Sequence, residues 1–248
     1  MTMSFADMPC TLLSLPLTRI RELPALQGQA MFGCVAMDST GHKSDKCHIF
    51  PLSPQQSGDA PAELSYGDCV SISHVLSGRL LSSQAFNLRH PNGSGFQIVN
   101  CMKAEVADLV EIAREPVKYT TWQLESPSGS SGLLRNHDIV ELGHKRSNQL
   151  LHSHSGHSSP LTSQQEVCCY PRGNKDASNA WQIQVLGRAS TDKSPVKRGE
   201  PLLLFHCHTR HYLHSHAGFE GPLTNFHQEA TAWPHKDDDN NTWTLELA

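Results

Sequence analysis

Charge of one sign is the first thing this chain lacks. Its 20 Lys and Arg stand against 24 Asp and Glu, a formal charge of −4, and no run of five or more like charges occurs. Without a basic patch or stripe there is no electropositive footprint for nucleic acid. Long apolar runs are missing as well. The longest, Pro201-Leu202-Leu203-Leu204-Phe205, falls far short of the roughly 20 residues a membrane helix needs, so no membrane span is expected. Cysteine is sparse: eight are scattered over 248 residues with no CxxC pair, which argues against both a disulfide scaffold and zinc-finger spacing. The motifs of common chemistries are absent too, with no GxSxG, no HExxH and no phosphate-binding glycine loop. Gly93-Ser94-Gly95 lacks a downstream Lys and reads as a turn. The many Ser, His and Asp residues therefore carry no nucleophilic signature, and neither an enzyme nor a cofactor is expected.

What is present is repetition. From Asp138 to Trp181 is 43 residues and from Glu200 to Trp243 is also 43. The interior landmarks keep step: His144 with His206, Leu151-His152-Ser153-His154 with Leu213-His214-Ser215-His216, Gln165-Glu166 with Gln228-Glu229, and Asn179 with Asn241. A weaker copy begins at Gly67, where Asp68, His74, Leu81 and Trp122 occupy the same places, with 11 extra residues before the tryptophan. Three units result, at about 66–125, 136–185 and 198–248. The insertion in the first holds apolar residues at three- and four-residue spacing over Met102–Arg114, closed by Pro116, and reads as a short helix.

Each unit is a series of short β-type runs separated by Gly, Asn, Ser and Pro. Ile139–Leu142, Gln149–Ser153, Glu166–Tyr170 and Ala180–Gln184 are examples. Four strands in each of three units give twelve. Since one unit cannot bury its own apolar face, threefold repetition closes into an all-β fold of the β-trefoil type, a six-stranded barrel capped by three hairpins. The Leu81/Leu151/Leu213 and Trp122/Trp181/Trp243 sets are then core layers. Cys168 and Cys169 face opposite sides of a strand, and Cys101 and Cys169 occupy equivalent apolar positions as small buried hydrophobes. Residues 1–65, rich in Pro and polar tracts, read as a largely irregular, partly disordered extension, with helical turns at Thr18–Leu26 and a strand at Ala30–Met37 as its best ordered candidates.

The segments LLHSHSGHSSPLTSQQEVCCY and YLHSHAGFEGPLTNFHQEATAW, each followed by an Asp–Asn–Trp ending (Asp176, Asn179, Trp181; Asp238, Asn241, Trp243), resemble the MIR module. The chain most resembles the stromal cell-derived factor 2 family, built of three MIR repeats. The resemblance covers 66–248 and is weakest in the first unit, where Ser82-Ser83-Gln84 replaces His-Ser-His. It implies a non-catalytic binding module that recognises a glycan or an extended or unfolded polypeptide. Such a module would serve in a chaperone complex with Hsp40 and Hsp70 partners in protein quality control, or near an O-mannosyltransferase. The alternative is an accessory structural subunit docking through residues 1–65. Compartment is left open between two lines. The resemblance implies the endoplasmic reticulum lumen. Met1–Leu17, with Asp7, no base and an apolar stretch broken by Ser14 and Pro16, and a chain ending Leu245-Glu246-Leu247-Ala248, point instead to the cytosol.

The candidate ligand-binding residues are polar groups beside an aromatic on each hairpin: His154, Gln165, Glu166 and Tyr170 in the second unit, and His216, Gln228, Glu229 and Trp233 in the third. The competing reading is that the Gln-Glu pairs brace the hairpins. Two imidazoles two residues apart share a strand face and form half of a zinc site, with His157, His208, His211 or His227 as third ligands. The two pairs belong to different lobes and the first lobe has none, so no metal is expected. In each pair, one histidine should hydrogen-bond a neighbouring loop backbone while the other lies partly exposed. Asp237-Asp238-Asp239 reads as a solvated turn rather than a calcium loop.

Overall fold

The chain divides into two compact segments, Met1–Gln55 and Gln56–Ala248. A computed structural model describes residues 62–87, 90–105, 119–173 and 176–248. The segment Met1–Gln55, including the expected turns at Thr18–Leu26 and the strand at Ala30–Met37, lies outside the described residues, as does the expected helix from residue 106 onward.

Among the described residues, the segment Gln56–Ala248 is an all-β fold of twelve strands: β1 Cys69–His74, β2 Leu80–Asn87, β3 Gln97–Met102, β4 Thr121–Glu125, β5 Ile139–His144, β6 Gln149–Ser158, β7 Gln165–Pro171, β8 Trp181–Val185, β9 Leu202–His206, β10 His211–Glu220, β11 Gln228–Trp233 and β12 Trp243–Leu247. All pairings are antiparallel. β1 pairs β4, β4 pairs β5, β5 pairs β8, β8 pairs β9, β9 pairs β12 and β12 returns to β1, so these strands close a ring without a free edge. The hairpins β2–β3, β6–β7 and β10–β11 stand on that ring. Their second strands pair with one another, β3 with β7, β7 with β11 and β11 with β3.

Period-2 patterning places the barrel core. β4 and β8 alternate buried and half-buried residues, which brings Trp122, Leu124, Trp181 and Ile183 inward. Trp122, Trp181 and Trp243 are fully buried, and each indole removes roughly 200 Å² from water, about 5 kcal/mol. Each finds its polar partner in the same way. Nε1 of Trp122, Trp181 and Trp243 donates to the carbonyls of Leu81, Leu151 and Leu213 at 2.9, 3.0 and 2.9 Å. Each indole also packs on a buried histidine of the following unit, Trp122 on His144, Trp181 on His206 and Trp243 on His74, with centroids 4.7–5.0 Å apart.

Those histidines are locked as neutral rings. Nε2 of His74, His144 and His206 donates to the carbonyls of Asn240, Tyr119 and Ser178 at 3.1, 3.0 and 2.8 Å. This leaves Nδ1 to accept from the hydroxyls of Ser77, Ser147 and Thr209 at 2.8, 2.8 and 2.7 Å. Burial, helped by neighbouring His and Arg side chains and opposed by the backbone carbonyl bond, pushes all three pKa values down to about 4.

Leu64 is fully buried with Leu134 and Val196, and the three backbones form a closed cycle. Leu64 N donates to Val196 O, Val196 N to Leu134 O and Leu134 N to Leu64 O, each at 2.8 Å. Two residues beyond each of Ser65, Arg135 and Lys197 the chain turns through positive φ, at Gly67, His137 and Gly199. The next residue, Asp68, Asp138 or Glu200, accepts the backbone N–H of Ser65, Arg135 or Lys197 at 2.8–2.9 Å. Each unit therefore opens on an acidic turn that follows a core residue.

Candidate ligand-binding cleft

The hairpins supply the site. In β2, β6 and β10 a serine points inward: Ser83, Ser153 and Ser215 donate to the carbonyls of Ile98, Glu166 and Glu229 at 2.6, 2.6 and 2.7 Å. A glutamine bonds each serine in turn, with Nε2 of Gln97, Gln165 and Gln228 at 2.7 Å. Gln165 also reaches Thr209 Oγ1 at 2.9 Å. Gln165 and Gln228, expected among ligand contacts, are thus placed as braces across their hairpins, and Gln97 is their unforeseen counterpart in the first unit. Beyond each serine the pairing register shifts, between Ser83 and Asn87, Ser153 and Ser158, and Ser215 and Glu220. Gly156 and Gly218 take positive φ inside two of these shifts. The strands splay there, opening space on the outer face.

With serine inward, the flanking histidines share the outer face. His152 and His214 are buried, and their Nδ1 atoms donate to Asn179 Oδ1 and Asn241 Oδ1 at 2.9 Å. The partner is therefore a side-chain amide of the Asp-x-x-Asn turn rather than the expected loop backbone. His154 and His216 are exposed, as anticipated. Asp176 and Asp238 begin these turns by accepting from Ser178 N and Asn240 N at 2.9 Å, so Asp238 caps a turn and the acidic run Asp237–Asp239 is a loop cap.

In the second unit the splayed strands enclose a cleft of about 230 Å³. His154, Glu166 and Tyr170 line it together with His152, His157 and Asp176, and Ser94 and Phe96 of the preceding unit close one side. Tyr170 stacks on His152 at 4.6 Å and meets Phe96 edge-on at 4.7 Å. Burial lowers the His152 pKa against the opposing Asn179 bond, raises Cys168 well above the ordinary thiol value, and the Ser178 backbone N–H lowers Asp176. Glu166 is buried, and its Oε2 accepts Ser94 N at 2.7 Å. Among the described residues no hydrogen bond reaches Oε1.

The third unit carries the same parts in a different state. Glu229 accepts Leu161 N at 2.9 Å, Thr162 N at 3.0 Å and Thr162 Oγ1 at 2.6 Å, so it is placed as a brace for a loop of the second unit. Trp233 and His216 flank His214, at centroid distances of 5.9 and 6.1 Å. In the first unit Gln84 is held by Asn225 Nδ2 at 2.6 Å and contacts His227 Nε2 at 3.1 Å.

Among the described residues no three His, Cys, Asp or Glu side chains converge as a metal site. The histidines raised as third ligands are dispersed: His208 bonds Ser178, His211 bonds Thr209 and His227 bonds Gln84. Only His157 joins the second-unit pair, 4.9 Å from His154. Hydroxyl–imidazole pairs do occur, but in each of the three core sets the second nitrogen meets a backbone carbonyl. That arrangement braces a turn and lacks the carboxylate that orients a general base.

No protein-family model matches the chain. It is 28% identical over 185 residues to a stromal cell-derived factor 2-like protein of Arabidopsis thaliana, covering 74% of this chain and 79% of the relative. The chain is related to the stromal cell-derived factor 2-like proteins. The crystal structure of an SDF2-like protein from Arabidopsis thaliana has the same fold, with a TM-score of 0.64 at 23% identity over 75% of this chain and 95% of that one. A protein O-mannosyl-transferase 2 of Danio rerio is 29% identical over 194 residues, which is 75% of this chain but 24% of the transferase. The barrel thus recurs both as nearly a whole protein and as a minor part of a much longer enzyme.

Proposed function

We propose that residues 62–248 form a β-trefoil of three MIR repeats that serves as a non-catalytic binding module for a glycan or an extended or unfolded polypeptide. The closed six-strand ring, the three mutually paired hairpins and the threefold recurrence of the Trp, His and Leu64-type contacts support the trefoil. The similarity to stromal cell-derived factor 2-like proteins supports a binding role in a quality-control complex of the endoplasmic reticulum with Hsp40- and Hsp70-type chaperones. The partial match to an O-mannosyltransferase supports work beside such an enzyme.

The observation that carries the binding reading is Glu166, a buried carboxylate with one oxygen unspent at a cleft, whose counterpart Glu229 is spent inside the fold. The ligand contacts assigned are His154, Glu166 and Tyr170, with His152 and Phe96 added as walls. His216 and Trp233 form a secondary surface on the third hairpin. The test is a glycan array and an array of peptides from unfolded proteins, probed with the full chain. Binding lost in His154→Ala and Tyr170→Ala but kept in His216→Ala is expected. Partner capture that survives these changes and vanishes on removal of residues 1–61 would instead favour an accessory scaffold.

A further inference from the structure

The donor and acceptor inventory of the second-unit cleft restricts its ligand further, given the reading of that cleft as a binding site. His152 Nδ1 donates to Asn179 Oδ1 and His154 Nδ1 donates to the Ser155 carbonyl at 2.8 Å. Both rings therefore carry a proton on Nδ1, and in the neutral form each keeps Nε2 as a lone-pair acceptor. Glu166 Oε1 is a third acceptor. Asp176, with Oδ1 committed to Ser178 N, offers Oδ2 as a fourth. Among the described residues no Lys or Arg lines the cleft, and the Ser94 N–H is already committed to Glu166. Against the four acceptors stand the hydroxyls of Ser94 and Tyr170 and a ring N–H of His157, so the described lining holds more acceptors than donors and is negative at Glu166 and Asp176. Its walls are aromatic, and its volume of about 230 Å³ falls below the roughly 300–1,000 Å³ of pockets that engulf drug-sized ligands. It holds one side chain or one sugar ring.

We infer that this cleft captures an arginine side chain presented by an extended polypeptide. A guanidinium carries five N–H donors and no acceptor, matching a lining with more acceptors than donors and two carboxylates, and its flat faces suit the Phe96 and Tyr170 rings. A sugar hydroxyl brings two lone pairs for its one proton, and it carries no charge to meet Glu166 and Asp176. An ammonium satisfies the charge but neither the fork nor the stacking. The other two units do not duplicate the site, because Glu229 is fully bonded and Ile98 stands at the corresponding place of β3, so one arginine binds per chain.

The test is titration of the full-length chain with Nα-acetyl-arginine amide, its neutral isostere Nα-acetyl-citrulline amide and a neutral methyl hexoside, followed by NMR of the aromatic and histidine signals. Arginine amide should bind at least about tenfold more tightly than citrulline amide, as expected for charge-assisted contacts. Glu166→Gln, which keeps an acceptor for Ser94, should weaken it by about tenfold with an unchanged melting midpoint, and Asp176→Asn by about threefold. Should Glu166→Gln fail to fold, the citrulline comparison and Asp176→Asn decide. Equal affinities for arginine and citrulline amides, or arginine binding unaffected by both substitutions, overturn the inference. If only the hexoside perturbs the cleft signals, the arginine assignment falls while the binding reading stands. If none of the three does, both fall.

Discussion

The second and third hairpins are built from one plan and differ in what their glutamates have left to do. Both place serine inward, glutamine across the hairpin, a buried histidine on an asparagine and an aromatic beside it. The difference comes from the loop contributed by the preceding unit. Pro160-Leu161-Thr162 turns two N–H groups and a hydroxyl onto Glu229, whereas the loop around Ser94 gives Glu166 one N–H and sets Phe96 against Tyr170. An identical residue is a brace in one unit and an available carboxylate in the other. Repetition builds the frame, and departures from it in the loops leave a group free to meet a ligand.

The comparison breaks most directly if the frames themselves are unequal. Trp181→Ala and Trp243→Ala each open a cavity in the barrel and orphan a buried leucine carbonyl. Each should cost about 3–5 kcal/mol, and the two losses should agree within about 1 kcal/mol. Denaturant unfolding with constant m-values checks this. A much smaller loss at either position would mean that the units are not equivalent in the core, and the cleft difference would then have a deeper origin than its loops.

Acid acts on all three units alike. His74, His144 and His206 have folded-state pKa values near 4, below the ordinary 6.5, so the unfolded chain takes up these protons first. Their contribution is fully present above about pH 6.5, is lost progressively as pH falls toward 4, and changes no further below that. At pH 5.5 each should already have cost about 1 kcal/mol, roughly 3 kcal/mol together. Unfolding free energies between pH 7.5 and 4.5 should show this fall, and His144→Gln should reduce proton uptake on unfolding by about one. A flat profile would contradict the neutral, doubly bonded rings.

Much of this frame was readable in the sequence because it obeys a constant spacing. The Asp-to-Trp interval, the leucine layer and the paired Cys101 and Cys169 positions follow from it, and the tryptophans, leucines and cysteines are buried where periodicity places them. What escaped lacks either spacing or neighbours. Leu64, Leu134 and Val196 are single apolar residues ahead of polar turns, with no run to mark them. Gln97 was hidden because isoleucine, not glutamate, follows it. The contacts that distinguish the clefts join Ser94 to Glu166 and Leu161 to Glu229, residues 72 and 68 apart, between segments with no shared pattern. His154, Glu166 and Tyr170 could be picked out from the repeat. Phe96 and Ser94, which complete that cleft from the preceding unit, could not.

A sharper form of the hairpin comparison exchanges charge for an isostere. Glu229→Gln removes a carboxylate that accepts three hydrogen bonds in a buried site, and should cost about 2 kcal/mol. Glu166→Gln leaves an acceptor for its single N–H donor and should cost under about 1 kcal/mol. Thermal or urea unfolding of both variants decides between them. Equal losses would show that Glu166 has a partner as demanding as those of Glu229, and would remove the reason for calling its second oxygen available.

The smallest effect tests whether Asp176 is structural. Asp176 and Asp238 both open a short turn by accepting a backbone N–H two residues on, a task that asparagine performs as well as aspartate, while alanine forfeits about 1 kcal/mol. Asp176→Asn and Asp238→Asn should each shift stability by less than about 0.5 kcal/mol, and the corresponding alanine variants by about 1 kcal/mol, equally in the two units. Calorimetric melting of the four variants measures this. If Asp176→Asn alone is destabilising, its charge is already consumed by the fold, for instance by His152 across the turn. If it is neutral, the turn needs only the oxygen, and the negative charge beside the cleft is free to act on what enters it.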